Sequence, residues 1–128
     1  GYPSIDKPWL KYYSEEAINA KLPECTIYEY LWENNKDHLN EKAINYAGRW
    51  ITYGEMFNSI DRIATAFLEE GIKEGDIVTI IAPSIPEVIY TFYALNKIGA
   101  VSNFIDPRKS IGEVEEVLQL NRKAQAYF

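Results

Sequence analysis

Four times along this chain a hydroxyl residue is followed three positions later by glutamate, just ahead of an apolar-periodic stretch: Thr26–Glu29, Thr52–Glu55, Ser84–Glu87 and Ser110–Glu113. This is the pattern of a capping box, in which the hydroxyl accepts from the N3 amide and the glutamate reaches back to the N-cap amide. Two otherwise orphaned donors are satisfied, and the carboxylate suits the positive end of the helix dipole. One match carries little weight. Four, each leading into helical periodicity, set four helix starts and leave only short gaps between them.

The apolar positions after each start define the buried faces. After Thr52 they are Met56, Phe57, Ile60, Ile63, Ala64, Phe67 and Leu68, with Gly71 as terminator. After Ser84 the run Val88, Ile89, Tyr90, Phe92, Tyr93, Ala94, Leu95 and Ile98 closes at Gly99. A helix this apolar around its circumference requires cover on two sides. The segment after Ser110 carries Ile111, Val114, Val117 and Leu118, and the one after Thr26 carries Ile27, Tyr30 and Leu31. Strands are expected at 43–46 and 50–52, joined by a turn at Ala47-Gly48-Arg49, and at 77–82, 101–105 and 124–128. Helix and strand alternate from Thr52 onward, which predicts βαβ units with right-handed crossovers. The expected class is α/β: a largely parallel sheet with flanking helices, plus an N-terminal helix and a small β-hairpin. Residues 1–25 read as an N-terminal arm and 26–128 as one α/β unit. That unit looks incomplete, because the chain stops at Phe128 in an apparent strand with no closing helix.

Composition excludes several functions. With 13 Lys and Arg against 19 Asp and Glu, the net charge is −6. No basic stripe exists to release counterions from nucleic-acid phosphates or to hold an anionic membrane surface. No apolar run approaches the ~20 residues of a bilayer span, and no signal-peptide pattern opens the chain. Cys25 and His38 are the only residues of their kinds. A multi-cysteine metal site, zinc chemistry and a Ser-His-Asp triad therefore need donors from elsewhere, and a cytoplasmic setting is the simplest expectation. Phosphate-loop patterns are absent, since the glycines at 71, 75, 99 and 112 stand alone. No catalytic residue and no metal ligand are assigned.

Two stretches carry a family resemblance. Ile51-Thr52-Tyr53-Gly54-Glu55-Met56 is similar to a Leu-Thr-Tyr-x-Glu-Leu core motif, and Leu95-Asn96-Lys97-Ile98-Gly99-Ala100-Val101, running on to Ile105-Asp106-Pro107, to a Leu-Lys-x-Gly-Ala-Val…Asp-Pro motif. With Gly71 to Asp76, Pro83 and Pro86-Glu87 between them in matching order, roughly residues 26–128 resemble the adenylate-forming (AMP-dependent synthetase/ligase) superfamily. That superfamily comprises acyl- and aryl-CoA synthetases, luciferases and peptide-synthetase adenylation domains. The resemblance implies an N-terminal fragment of an acyl-CoA synthetase, an acid–thiol ligase that joins a carboxylic acid to AMP and then to coenzyme A. ATP, Mg²⁺ and coenzyme A would serve the full-length enzyme and none would be bound by this fragment alone, because the family's phosphate loop, magnesium-binding acid and mobile lysine lie C-terminal to this region. Its partners would be the remaining domains of the same polypeptide. Ser102-Asn103-Phe104 departs from the family's commoner Tyr-Val-Pro-like run, which weakens the peptide-synthetase assignment. Arg108, directly after Asp106-Pro107, fits ligases that place a basic residue near the coenzyme A nucleotide.

Each singled-out residue has a plain reading beside the functional one. Arg108 and Lys109 either meet the coenzyme A 3′-phosphate or form a solvated loop pair. Ser84 either opens an anion-binding helix start or simply caps with Glu87, the preferred reading. His38 is expected to complement the end of the first helix, Cys25 to be a small buried hydrophobe, and Glu113, Glu115 and Glu116 to form a solvated face. Trp9, Tyr12, Tyr13, Tyr28 and Trp32 resemble a base-stacking platform, yet packing of the arm fits an acidic chain better. Two rival functions stay open: an adenylation domain loading a carrier protein, and a stand-alone α/β binding module without catalysis. For a fragment, an exposed apolar patch and self-association are expected. The acyl substrate is not written in these residues.

Overall fold

The computed structural model describes residues 1–120 and the backbone of a last strand, Ala124–Tyr127; the expected end of that strand at Phe128 lies outside the described residues. Three short elements occupy the arm: α1 (Pro3–Asp6), a 3₁₀ stretch (Pro8–Tyr12) and α2 (Glu15–Asn19). Ser14 caps α2 by accepting from the Ala17 amide at 3.2 Å. Then follow α3 (Ile27–Asn35), β1 (Lys42–Tyr46), β2 (Arg49–Thr52), α4 (Tyr53–Glu69), β3 (Ile77–Ile81), α5 (Pro86–Lys97), β4 (Val101–Ile105), α6 (Ile111–Leu120) and β5 (Ala124–Tyr127).

Three of the four expected capping boxes form. Thr26 and Glu29 close one on α3, Thr52 and Glu55 one on α4, and the Ser110 amide donates to Glu113 Oε2 at 2.9 Å while the Glu113 amide donates to Ser110 Oγ at 3.4 Å. The fourth does not form. Pro86 takes the first position of α5, and its ring forces Ile85 into an extended conformation as the N-cap, with no side-chain cap. Ser84 is thereby pushed outside the helix.

β1 and β2 pair antiparallel through a turn in which Ala47 and Gly48 both have positive φ, 50° and 83°, the requirement of a type I′ hairpin. The second sheet is parallel with strand order β4-β3-β5. From β3 the chain crosses over α5 to β4 on one side, then over α6 back to β5 on the other. Crossovers stepping in opposite directions place α5 and α6 on opposite faces if both are right-handed.

The core lies between α3, α4, α5 and one face of β3. Met56, Phe57, Ile60, Ala64 and Phe67 of α4 pack with Tyr90, Ala94 and Leu95 of α5 over Val78 and Ile80. Some expected face positions differ. On α3 the buried side carries Tyr28 with Leu31 and Trp32 packed beside it, while Ile27 and Tyr30 are exposed. Tyr28 wins because its amide donates to Asn96 Oδ1 at 2.8 Å and its ring lies under the Lys97 ammonium, which rotates α3 by one position. Leu68 and Ile111, at the margins of their stripes, are also exposed. Cys25 is exposed, not buried, since it precedes the α3 cap in the solvated arm. His38 lies beyond the end of α3, and its Nδ1 pairs with Glu41 Oε1 at 2.8 Å.

Candidate functional site

The carboxyl ends of adjacent strands in an open parallel sheet form a crevice where their onward connections leave toward opposite faces. β3 and β4 meet that condition. Between them opens a crevice of about 480 Å³, walled by Ala82, Pro83 and Ser84 after β3, by Val88 of α5, and by Phe104 to Arg108 at the end of β4. Its apolar floor comes from strand residues and its polar rim from the two loops.

Arg108 stands on that rim. Its backbone amide donates to Asp106 Oδ1 at 2.9 Å, its Nε to both carboxylate oxygens at 3.0 and 3.2 Å, and its Nη2 to Oδ2 at 2.6 Å. These bonds hold the Asp106 carboxyl well below the usual carboxylate range and raise the guanidinium further above its ordinary value. Asp106 consumes two of the five guanidinium donors. Nη1 has no partner among the described residues, so Arg108 is aimed by its neighbour and still has donors to offer. Pro107 fixes the turn between the two. Lys109 points elsewhere, with Nζ 3.1 Å from Glu113 Oε1. Ser84, freed from capping, lies on the opposite wall.

The remaining expected candidates do not converge here. Glu113 serves the α6 cap, and bonds from the Ser110 amide and hydroxyl, then Lys109, hold its carboxyl down at about 2. Tyr28 and Trp32 pack edge-on against Phe57, with centroids 6.3 and 4.9 Å away, and are not a stacking platform. Trp9, Tyr12 and Tyr13 are exposed on the arm. Among the described residues no cluster of three or more His, Cys, Asp or Glu is placed to hold a metal ion, and no helix is long and apolar enough to cross a membrane.

Two further hollows were not apparent from the sequence. An apolar groove of about 720 Å³ lies beside α4 and α5, with Phe67, Ile80 and Val88 in its lining. A polar cleft of about 520 Å³ lies between the hairpin and the amino ends of α4 and α5. No local signal marked the second: Tyr90, one helical turn beyond Glu87, sits in a run that also holds Thr91 and Tyr93.

Fold and crevice together define an α/β unit built on an open parallel sheet, with its polar site at the carboxyl edge. The chain belongs to the AMP-binding enzyme family, whose model matches residues 31–125. It is similar to the acetyl-coenzyme A synthetase of Emericella nidulans, 45% identical over 103 residues that cover 80% of this chain and 15% of that protein. It is also similar to acetyl-coenzyme A synthetase 1 of Candida albicans, 41% identical over 95 residues, 69% of this chain and 14% of the relative. The chain thus spans only about a seventh of the length of these curated relatives. Among solved structures, the N-terminal subdomain of Klebsiella oxytoca NpsA superposes with a TM-score of 0.76 at 25% identity, covering 81% of this chain and 27% of that one. A mutant form of coronafacic acid ligase from Pectobacterium brasiliense gives 0.75 at 29% identity, covering 80% and 20%.

Proposed function

We propose that this chain is the N-terminal part of an ATP-dependent acyl-CoA synthetase, with residues 1–25 as an arm and 26–128 as the first α/β unit of its large domain. Arg108 on the rim of the β3/β4 crevice is the observation that carries the reading. ATP, Mg²⁺ and coenzyme A belong to the complete polypeptide: the carboxylic acid is activated as its adenylate and transferred to the thiol of coenzyme A. This chain's own share is architectural, with one contact. It supplies a rigid parallel sheet, and Asp106 orients the Arg108 guanidinium so that the remaining N–H donors face a phosphate of coenzyme A. No residue here is assigned to the chemical steps.

The test is Arg108→Ala in the complete polypeptide. The KM for coenzyme A should rise about tenfold, as expected for a charge-assisted bond, while ATP–pyrophosphate exchange with the acid stays unchanged. An unaltered KM for coenzyme A refutes the contact. A second reading is favoured by one observation, the likeness to an artificially fused adenylation–carrier di-domain from Klebsiella oxytoca (27% identity, TM-score 0.75). There the acceptor is a carrier-protein thiol, and coenzyme A would fail to accept the acyl group.

A further inference from the structure

The polar cleft between the hairpin and the two helix starts lies apart from the crevice, and nothing in the proposed synthetase chemistry uses it. Six residues give it its character: Tyr46, Arg49, Glu55, Asn58, Glu87 and Tyr90. Tyr90 is only 8% exposed and its hydroxyl makes no hydrogen bond among the described residues. No fully buried side-chain oxygen or nitrogen among those residues lacks a partner. The Tyr90 hydroxyl is therefore the part of the side chain that reaches open space, and the space it lines is this cleft.

The charges around it are only partly committed. Glu87 makes no hydrogen bond or ion pair among the described residues. Glu55 spends one oxygen on Thr52, accepting from its amide at 2.9 Å and its hydroxyl at 3.2 Å, and leaves the other free. Bonds from Thr52 hold the Glu55 carboxyl below its ordinary value, so it is an anion throughout the neutral range. Arg49 has no ion pair within 4.0 Å among the described residues. Two carboxylates against one guanidinium give the lining side chains a net charge of −1, which the amino ends of α4 and α5 offset only in part. The Tyr90 phenol registers the same field: burial raises it, Glu87 and Glu55 raise it further, and Arg49 opposes without prevailing. Two tyrosine side chains line the walls, and π-faces favour cations. A cleft of about 520 Å³ is of ligand-binding size.

We propose that this cleft binds an organic cation, an alkylammonium or guanidinium group, held between Glu87 and the free oxygen of Glu55 with the Tyr90 hydroxyl as a further acceptor. The group is either free in solution or carried on a protein side chain, and the chemistry is the same. Arg49 opposes the ligand's charge, so its removal strengthens binding while loss of the Glu87 charge weakens it.

The test is an ¹⁵N–¹H NMR titration of the chain with three probes: agmatine, N-acetyl-arginine methylamide, and the uncharged isostere N-acetyl-citrulline methylamide. The first two should give saturable shifts confined to residues 46–59 and 86–90, and the third none. Glu87→Gln should weaken binding about tenfold and Tyr90→Phe about threefold, with Arg49→Ala tightening it by a similar factor. Saturation by both cations identifies the free group as sufficient; saturation by the arginine peptide alone identifies a protein side chain as the source. The proposal falls if the citrulline isostere binds equally, if neither cation saturates, or if Glu87→Gln leaves affinity unchanged. A reversed order, with Arg49→Ala weakening and Glu87→Gln tightening, would make it an anion site. Because the readout is binding to this chain, failure here leaves the coenzyme A reading untouched.

Discussion

Replacing Phe57 by leucine should cost far more than its loss of volume. Phe57 is 4% exposed at the junction of α3 and α4. Its ring centroid lies 4.9 Å from Trp32 and 6.3 Å from Tyr28, both edge-on, and 6.1 Å from Tyr53 in a stacked arrangement. Leucine keeps most of the apolar burial and loses all three ring pairs, each worth about 0.5–1.5 kcal/mol beyond area. Since neighbouring pairs are not additive, we expect about 2–3 kcal/mol, against about 3–5 kcal/mol for Phe57→Ala. That is a large part of the ~5–15 kcal/mol by which a domain is stable. Urea unfolding followed by circular dichroism reads it out: at an m-value of ~1–3 kcal/mol/M the midpoint should fall by about 0.7–3 M. A double-mutant cycle with Trp32→Leu should return a coupling of about 0.5–1.5 kcal/mol. A Phe57→Leu cost below about 0.5 kcal/mol, or no coupling to Trp32, would mean the ring geometry contributes nothing and only burial matters.

Asn96→Ala should destabilise by about 1–2 kcal/mol, because it strands the half-buried Tyr28 amide that now donates to Asn96 Oδ1 at 2.8 Å. Asn96→Asp keeps an acceptor there and should recover most of the loss in the same urea assay. Acid should act through Glu113, whose carboxyl is held at about 2 against an ordinary 4.5. A depressed carboxyl stabilises fully above its unfolded value, so this contribution is lost as pH falls from about 4.5 to about 2. Glu113→Gln should show a smaller drop in urea midpoint across that window than the unaltered chain, and an equal drop would refute the assignment.

The fold was legible in the sequence where two signals agreed at one position. At Thr52 a capping box coincides with an apolar stripe, and Met56, Phe57, Ile60, Ala64 and Phe67 are buried as that stripe requires. At Ser84 the hydroxyl-to-glutamate spacing stood beside a proline two residues on, and the proline prevails because its ring acts on backbone sterics while the box adds only hydrogen bonds. The register of α3 was hidden for another reason. What orients Tyr28 is the side chain of Asn96, 68 positions away, and local periodicity carries no trace of such a bond. The crevice was half legible: Asp106-Pro107-Arg108 marked one wall, but its pairing with the loop after β3 depends on strand order. The cation cleft was not legible, since the hairpin, α4 and α5 each contribute only three of its residues.

The start of α5 ties the hollows together. Val88 lines both the apolar groove and the crevice, Glu87 lines the groove and the cleft, and Pro86 and Tyr90 line the cleft. A helix begun by a Ser84–Glu87 capping box would spend the serine hydroxyl and the glutamate carboxylate on its own first turn, as Ser110 and Glu113 do on α6. With Pro86 at the first position there is no amide at that position to satisfy, and Ile85 supplies the turn from its backbone alone. The serine hydroxyl is then left on the crevice wall and the glutamate carboxylate is left to the cleft. A proline that overrides the local capping signal is thus what leaves two polar groups available for ligands on either side of one helix.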